Sequence, residues 1–132
     1  MAEFKVVIGS KDGKSYQKDI KGAEADALMK KRIGETISGN ELGLAGYEFQ
    51  VTGGSDIAGF PLRKGITTQR KRIMTGKGVG FSGLNRWKQK QPGLVKRRTV
   101  AGEMITSSVR QVNLKVIKAG SEPLAPAEAK KE

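Results

Sequence analysis

Apolar and polar residues alternate with a period of two through several short stretches of the chain, and one stretch carries a helical spacing instead. Phe4 to Ile8 is rich in β-branched and aromatic residues and predicts a strand. Lys11-Asp12-Gly13-Lys14 predicts a tight turn, because Asp-Gly supplies the positive φ that a hairpin needs. Tyr16, Lys18 and Ile20 alternate with Gln17 and Asp19, a second strand. Between Ala23 and Arg32 the residues are good helix formers, and Ala25, Leu28, Met29 and Arg32 share one side, so a short helix is expected. Ile33, Glu35 and Ile37 suggest a brief strand, and Asn40 to Leu44 one helical turn capped by Asn40. Tyr47, Phe49 and Val51 alternate with Glu48, Gln50 and Thr52 in a half-buried strand that Gly53-Gly54-Ser55-Asp56 should end. Gln69 to Met74 and Val95 to Val100 read as two more strands, and Val109 to Lys118 as the clearest, with Val112, Leu114 and Val116 on one face.

Short strands, tight turns and little helix point to a mainly β protein: a small barrel-like sheet with short helical segments, a long basic loop region and a flexible C-terminal tail. Residues 1–119 are expected to form one β-rich domain, carrying a glycine-rich insertion at 57–102. Residues 120–132, rich in Pro, Ala and charge, read as a disordered tail. The 132 residues suffice for one domain, and no run of 18 apolar residues offers a membrane span. The N-terminus is too soon interrupted to read as a secretory signal.

Charge sharpens this picture. The chain has 25 Lys and Arg against 13 Asp and Glu, a net +12. Ile57 to Gly102 contains no Asp or Glu, yet holds twelve basic residues: Arg63, Lys64, Arg70, Lys71, Arg72, Lys77, Arg86, Lys88, Lys90, Lys96, Arg97 and Arg98. The remainder is balanced, so the whole excess lies in one segment. A chain needing only solubility would mix both signs. Eight glycines with Pro61 and Pro92 make the middle of this segment an extended loop, held open by self-repulsion until phosphates neutralise it. A polyanion is the expected partner.

Candidate chemistry adds little to catalysis. There is no His and no Cys, which removes the commonest general base, the thiolate nucleophile and most zinc sites. Absence of cysteine also suits a reducing cytosol. Gly78-Val79-Gly80-Phe81-Ser82-Gly83 has dinucleotide-loop spacing, but Leu84 to Pro92 offers no amphipathic helix to follow it, so no cofactor is expected. Asp56, after Gly53-Gly54-Ser55, is expected to cap backbone N–H groups at a turn. Trp87 lies between Arg86 and Lys88, either as a packing anchor for the loop or as a platform for an unpaired base. Lys96-Arg97-Arg98-Thr99 has the look of a kinase recognition string, although a threonine in a strand more often has a structural part.

Three stretches together resemble the S-six-e family of small-subunit ribosomal proteins, archaeal and eukaryotic. Thr52-Gly53-Gly54-Ser55-Asp56-Ile57-Ala58-Gly59-Phe60-Pro61-Leu62-Arg63 is similar to its G-G-[SN]-D-x-x-G-F-P segment. Lys96-Arg97-Arg98-Thr99-Val100-Ala101-Gly102 resembles its R-K-[ST]-V-R-G element, with Ala101 where a basic residue is frequent. Val112 to Gly120 resembles its N-L-x-[IV]-V-K-K-G ending. The resemblance covers roughly residues 3–120. It implies a barrel-like domain in the small ribosomal subunit of the cytoplasm, contacting ribosomal RNA and neighbouring ribosomal proteins, with no enzymatic activity, small-molecule substrate or cofactor. The expected RNA-binding residues are the twelve basic ones named above together with Trp87. The basic helical extension of eukaryotic members is not found up to Glu132, so signalling through it is not expected, and the length suits an archaeal member. A free RNA-binding translation or assembly factor and, more remotely, an RNA-modifying enzyme are the alternatives.

Overall fold

The alternating stretches pair largely as their pattern requires. The computed structural model describes residues 2–124, in which strands β1 (Glu3–Gly9), β2 (Ser15–Lys21), β3 (Thr36–Ser38), β4 (Glu48–Asp56) and β7 (Val109–Lys118) form one sheet in the order β2-β1-β7-β4-β3. Strands β5 (Arg70–Thr75) and β6 (Lys96–Ala101) form a separate two-stranded ribbon. β1 and β2 are an antiparallel hairpin with Phe4 opposite Ile20 and Val6 opposite Lys18. β1 also runs parallel to β7, Val6 against Val112 and Ile8 against Leu114. The sheet curls into a half-barrel around Phe4, Val6, Ile8, Phe49, Val51, Val112 and Leu114, all at most 2% exposed. Alternation puts these residues on the inner face and Lys5, Gln17, Glu48 and Lys115 outside. The mainly β, barrel-like architecture expected from the sequence is therefore the observed one.

Helix α1 (Ala23–Leu28) buries Ala25 and Leu28, and it is shorter than the spacing through Arg32 suggests. A tertiary pairing cuts it off. Lys30 takes φ 66°, and its N–H donates to the Ile105 carbonyl at 2.9 Å. The Ile105 N–H donates to the Lys31 carbonyl, and Arg32 bridges Met104. The strand expected over Ile33–Ile37 is β3, shifted to Thr36–Ser38 with Ile37 buried against Phe49. The turn at Gly39–Leu42 is 3₁₀, and Asn40 is inside it rather than at its cap. The Asn40 side-chain oxygen instead accepts the Gly46 N–H at 3.4 Å. Beyond β7, residues 120–124 lie back on the sheet: the Tyr47 hydroxyl donates to the Glu122 carbonyl, and Leu124 packs on the core. The rest of the tail expected from Gly120 falls outside the described residues.

β4 departs most from expectation. The glycines at 53 and 54 were expected to end it, but it continues to Asp56, pairing Gly53 with Asn113 and Gly54 with Val112. Bulges at Val51/Gly53 and Ser55/Asp56 bend it there. The glycine at 54 is steric, not a terminator: a Cβ would stand 2.2 Å from the Gln111 carbonyl oxygen. At Gly53 a Cβ would meet nothing within 4 Å. Gly54→Ala should thus lower stability by about 1–3 kcal/mol, the usual cost of forced overpacking, whereas Gly53→Ala should stay within about 1 kcal/mol of the parent. Urea midpoints of the two variants check this, and equal losses would contradict it.

Candidate nucleic-acid interface

The basic segment leaves the sheet through a stitched joint. After Asp56 the chain turns back so that Pro61 bridges Ser55 and the Leu62 N–H donates to the Gly54 carbonyl at 3.0 Å. The same short stretch then joins the ribbon. The Ala101 N–H donates to the Pro61 carbonyl at 2.9 Å, and the Arg63 N–H to the Ala101 carbonyl at 3.2 Å. Leu62 and Ala101 are buried in the main core, so sheet and ribbon share one foundation.

Asp56 is the centre of this joint, and it does more than cap a turn. One carboxylate oxygen accepts the Phe60 N–H at 2.9 Å. The other accepts Nε and a terminal nitrogen of Arg70 at 3.1 and 2.6 Å. The Arg70 guanidinium also lies 4.9 Å from the Phe60 ring centroid. Burial alone would push the Asp56 carboxyl up. The hydrogen bond from Arg70, those from the Phe60 and Ala58 N–H groups, and the Arg70 charge outweigh it and hold the carboxyl below the usual aspartate range.

The twelve basic residues do not share one role. Arg70 is the one with a carboxylate partner among the described residues. Arg63 is also engaged internally, donating to the buried Thr75 hydroxyl and the Val79 carbonyl, both at 2.9 Å. In the ribbon, Arg72 lies opposite Thr99 and Arg97 opposite Met74, on one face. Lys71, Arg98 and Lys96 take the other face with buried Thr75 and Val100. There Phe81, 6% exposed, is a floor under two of them: the Arg98 guanidinium is 5.4 Å and the Lys96 ammonium 6.0 Å from its ring centroid. Phe81 was not among the residues expected from the sequence; the signal was a single aromatic within the glycine run. Lys64, Lys71, Arg72, Lys77, Arg86, Lys88, Lys90, Arg97 and Arg98 are exposed.

Between the ribbon strands, residues 76–95 form turns rather than a regular element. Gly78 and Phe81 exchange backbone hydrogen bonds at 3.0 and 3.2 Å, and no helix follows Gly83, so the dinucleotide spacing has no dinucleotide architecture. Further along, the Asn85 side-chain oxygen accepts the N–H groups of Trp87 and Gln89, both at 3.0 Å, and Lys88 adopts φ 59°. This tight loop turns Arg86, Trp87 and Lys88 outward. Trp87 is 75% exposed, so it does not anchor the loop by burial and presents its ring face to solvent. Met74, opposite Arg97 in the ribbon, and Val95, just before Lys96, are also exposed.

The described residues hold no cluster of His, Cys, Asp or Glu that could bind a metal, and no helix among them is long and apolar enough to cross a membrane. What remains is a carboxylate-free cationic ribbon with an outward tryptophan, mounted on a small β half-barrel. That arrangement defines a basic, mainly β protein whose excess positive charge is gathered in one segment. Residues 4–128 match the family described as Ribosomal protein S6e, and the chain belongs to that family, whose part is structural and not enzymatic. It is similar to small ribosomal subunit protein eS6 of Archaeoglobus fulgidus, 41% identical over 98% of this chain and 98% of that one. The protein of the same name from Haloarcula marismortui is 38% identical over 95% and 94%. That of Methanococcus maripaludis is 40% identical over 92% of each.

The joint makes two testable statements. Arg70→Met leaves Asp56 buried without its cation and should cost on the order of 2 kcal/mol, more than Asp56→Asn, because the Arg70 side chain freed in the latter is 46% exposed. Because the folded-state pKa of Asp56 is lowered, its stabilisation is complete above roughly pH 4 and is lost as pH falls through the folded value. Urea midpoints of the parent and Asp56→Asn should therefore converge as pH is lowered from 7 to about 3. A constant gap would contradict the assignment.

Proposed function

We propose that the chain is a structural constituent of the small ribosomal subunit in the cytoplasm, and that it holds ribosomal RNA through residues 57–102. The relatives' names and the family match supply the ribosomal setting. The observation that supports the RNA contact is the unneutralised ribbon. Eleven of the twelve cations between Ile57 and Gly102 have no carboxylate partner among the described residues, and charge concentrated in this way attracts polyanions. Phosphates would supply it, and the counterions they release would provide most of the affinity.

The parts divide by chemistry. Arg72, Arg86, Arg97 and Arg98 can fork two hydrogen bonds onto one phosphate, whereas Lys64, Lys71, Lys77, Lys88, Lys90 and Lys96 act as point charges. Trp87, held outward by the Asn85 turn, is placed to stack on an unpaired base. Arg63 and Arg70 hold the ribbon's shape and add charge to the same field. Neighbouring ribosomal proteins would meet the remaining surface.

Binding of the full chain to small-subunit ribosomal RNA, measured over a range of salt, tests this. With about 6–10 phosphates engaged, log K against log salt should slope between roughly −4 and −7, taking the single-strand coefficient. A flat response counts against it. Trp87→Ala should weaken binding by about 1–3 kcal/mol per stacked base lost, without changing the slope or the melting temperature. Stoichiometric sedimentation with small subunits in high salt separates an integral constituent from a transient factor.

A further inference from the structure

Three arginines, Arg72, Arg97 and Arg98, line one groove beside the ribbon. Arg72 and Arg97 reach it from one face and Arg98 from the other, and Pro61, Phe81 and Thr99 complete the wall. The groove holds about 450 Å³, inside the range of roughly 300–1,000 Å³ typical of small-ligand sites. None of the three has a carboxylate partner among the described residues. Arg98 is steadied over the Phe81 ring, and Gly80 lets the backbone close behind it, since a Cβ there would stand 2.8 Å from the Val100 side chain. Generic attraction to a polyanion requires only scattered charge. Forked donors gathered around a formed concavity suit a ligand with paired oxygens.

We infer that this groove is a seat for one sugar–phosphate unit of RNA, gripped bidentately by Arg72, Arg97 and Arg98, with the Thr99 hydroxyl as a further donor. The inference rests on the proposed RNA contact and adds a defined anchoring point to it. The recognised chemistry is the phosphate group, which free polyphosphate also carries, so the test includes both.

The test keeps the charge and removes the fork. Arg72→Lys/Arg97→Lys/Arg98→Lys is compared with the parent and with Lys11→Arg/Lys14→Arg/Lys115→Arg, at three exposed lysines outside residues 57–102, using small-subunit ribosomal RNA and tripolyphosphate as probes at one ionic strength. The arginine-to-lysine variant should bind the RNA at least about tenfold more weakly, while the lysine-to-arginine variant binds as the parent does and tripolyphosphate affinity is low in all three. Where the triple variant lowers the melting temperature, Arg97→Lys alone, on exposed β6 surface, should still lose several-fold. Parent-like RNA binding by the arginine-to-lysine variants would overturn the seat while leaving the salt-dependent contact standing. Tripolyphosphate binding as tight and as arginine-dependent as RNA binding would overturn the assignment to RNA. Failure of the parent to bind RNA at all would instead remove the broader proposal.

Discussion

A single buried carboxylate holds the molecule's two parts in register. Asp56 closes the loop to Phe60 with one oxygen and receives Arg70 with the other, so the end of β4 and the start of β5 meet at one residue. Backbone stitches at Gly54, Pro61 and Ala101 run alongside. Hydrogen bonds to charged groups are among the stronger ones, and their directionality fixes the angle at which the ribbon leaves the half-barrel. Everything the ribbon presents to a partner depends on that angle.

The joint also reconciles two opposed demands. A strongly cationic segment repels itself and gains little from collapsing. The half-barrel, by contrast, has a conventional core centred on Phe4, Phe49, Val112 and Leu114. Rather than burying the charges, the fold fixes only the ends of the segment and gives its interior a few local supports. These are Phe81 under Arg98 and Lys96, Arg63 on Thr75 and Val79, and Asn85 at the Trp87 turn. The cations thereby keep defined positions while remaining available to an external anion.

Much of the sheet was legible in the sequence because its strands are amphipathic and period two is unambiguous over Tyr47–Thr52 and Val109–Lys118. The failures have specific causes. The helix through Arg32 was shortened by pairing of Lys30–Ile33 with Glu103–Ile105, a contact between distant residues that no local spacing reports. Gly53-Gly54 looks like punctuation, yet Gly54 is a strand residue whose missing side chain admits the Gln111 carbonyl. At the interface, the concentration of charge was plain from the absence of acids. The sorting of those charges was not. That Arg70 turns to Asp56, Arg63 to Thr75, and Arg72, Arg97 and Arg98 to one groove depends on the strand register and on Phe81 folding beneath it.

The parallel pairing of β1 with β7 has a consequence for the order of assembly. The central seam of the sheet joins residues on the order of a hundred positions apart, such as Val6 and Val112. During synthesis the β1–β2 hairpin emerges first with an apolar face and an open edge, and it must wait for nearly the whole chain, cationic segment included, before β7 can cover it. A nascent chain in that state is both sticky and strongly attracted to nucleic acid, so capture of the segment by a polyanion before the seam closes would compete directly with completion of the half-barrel.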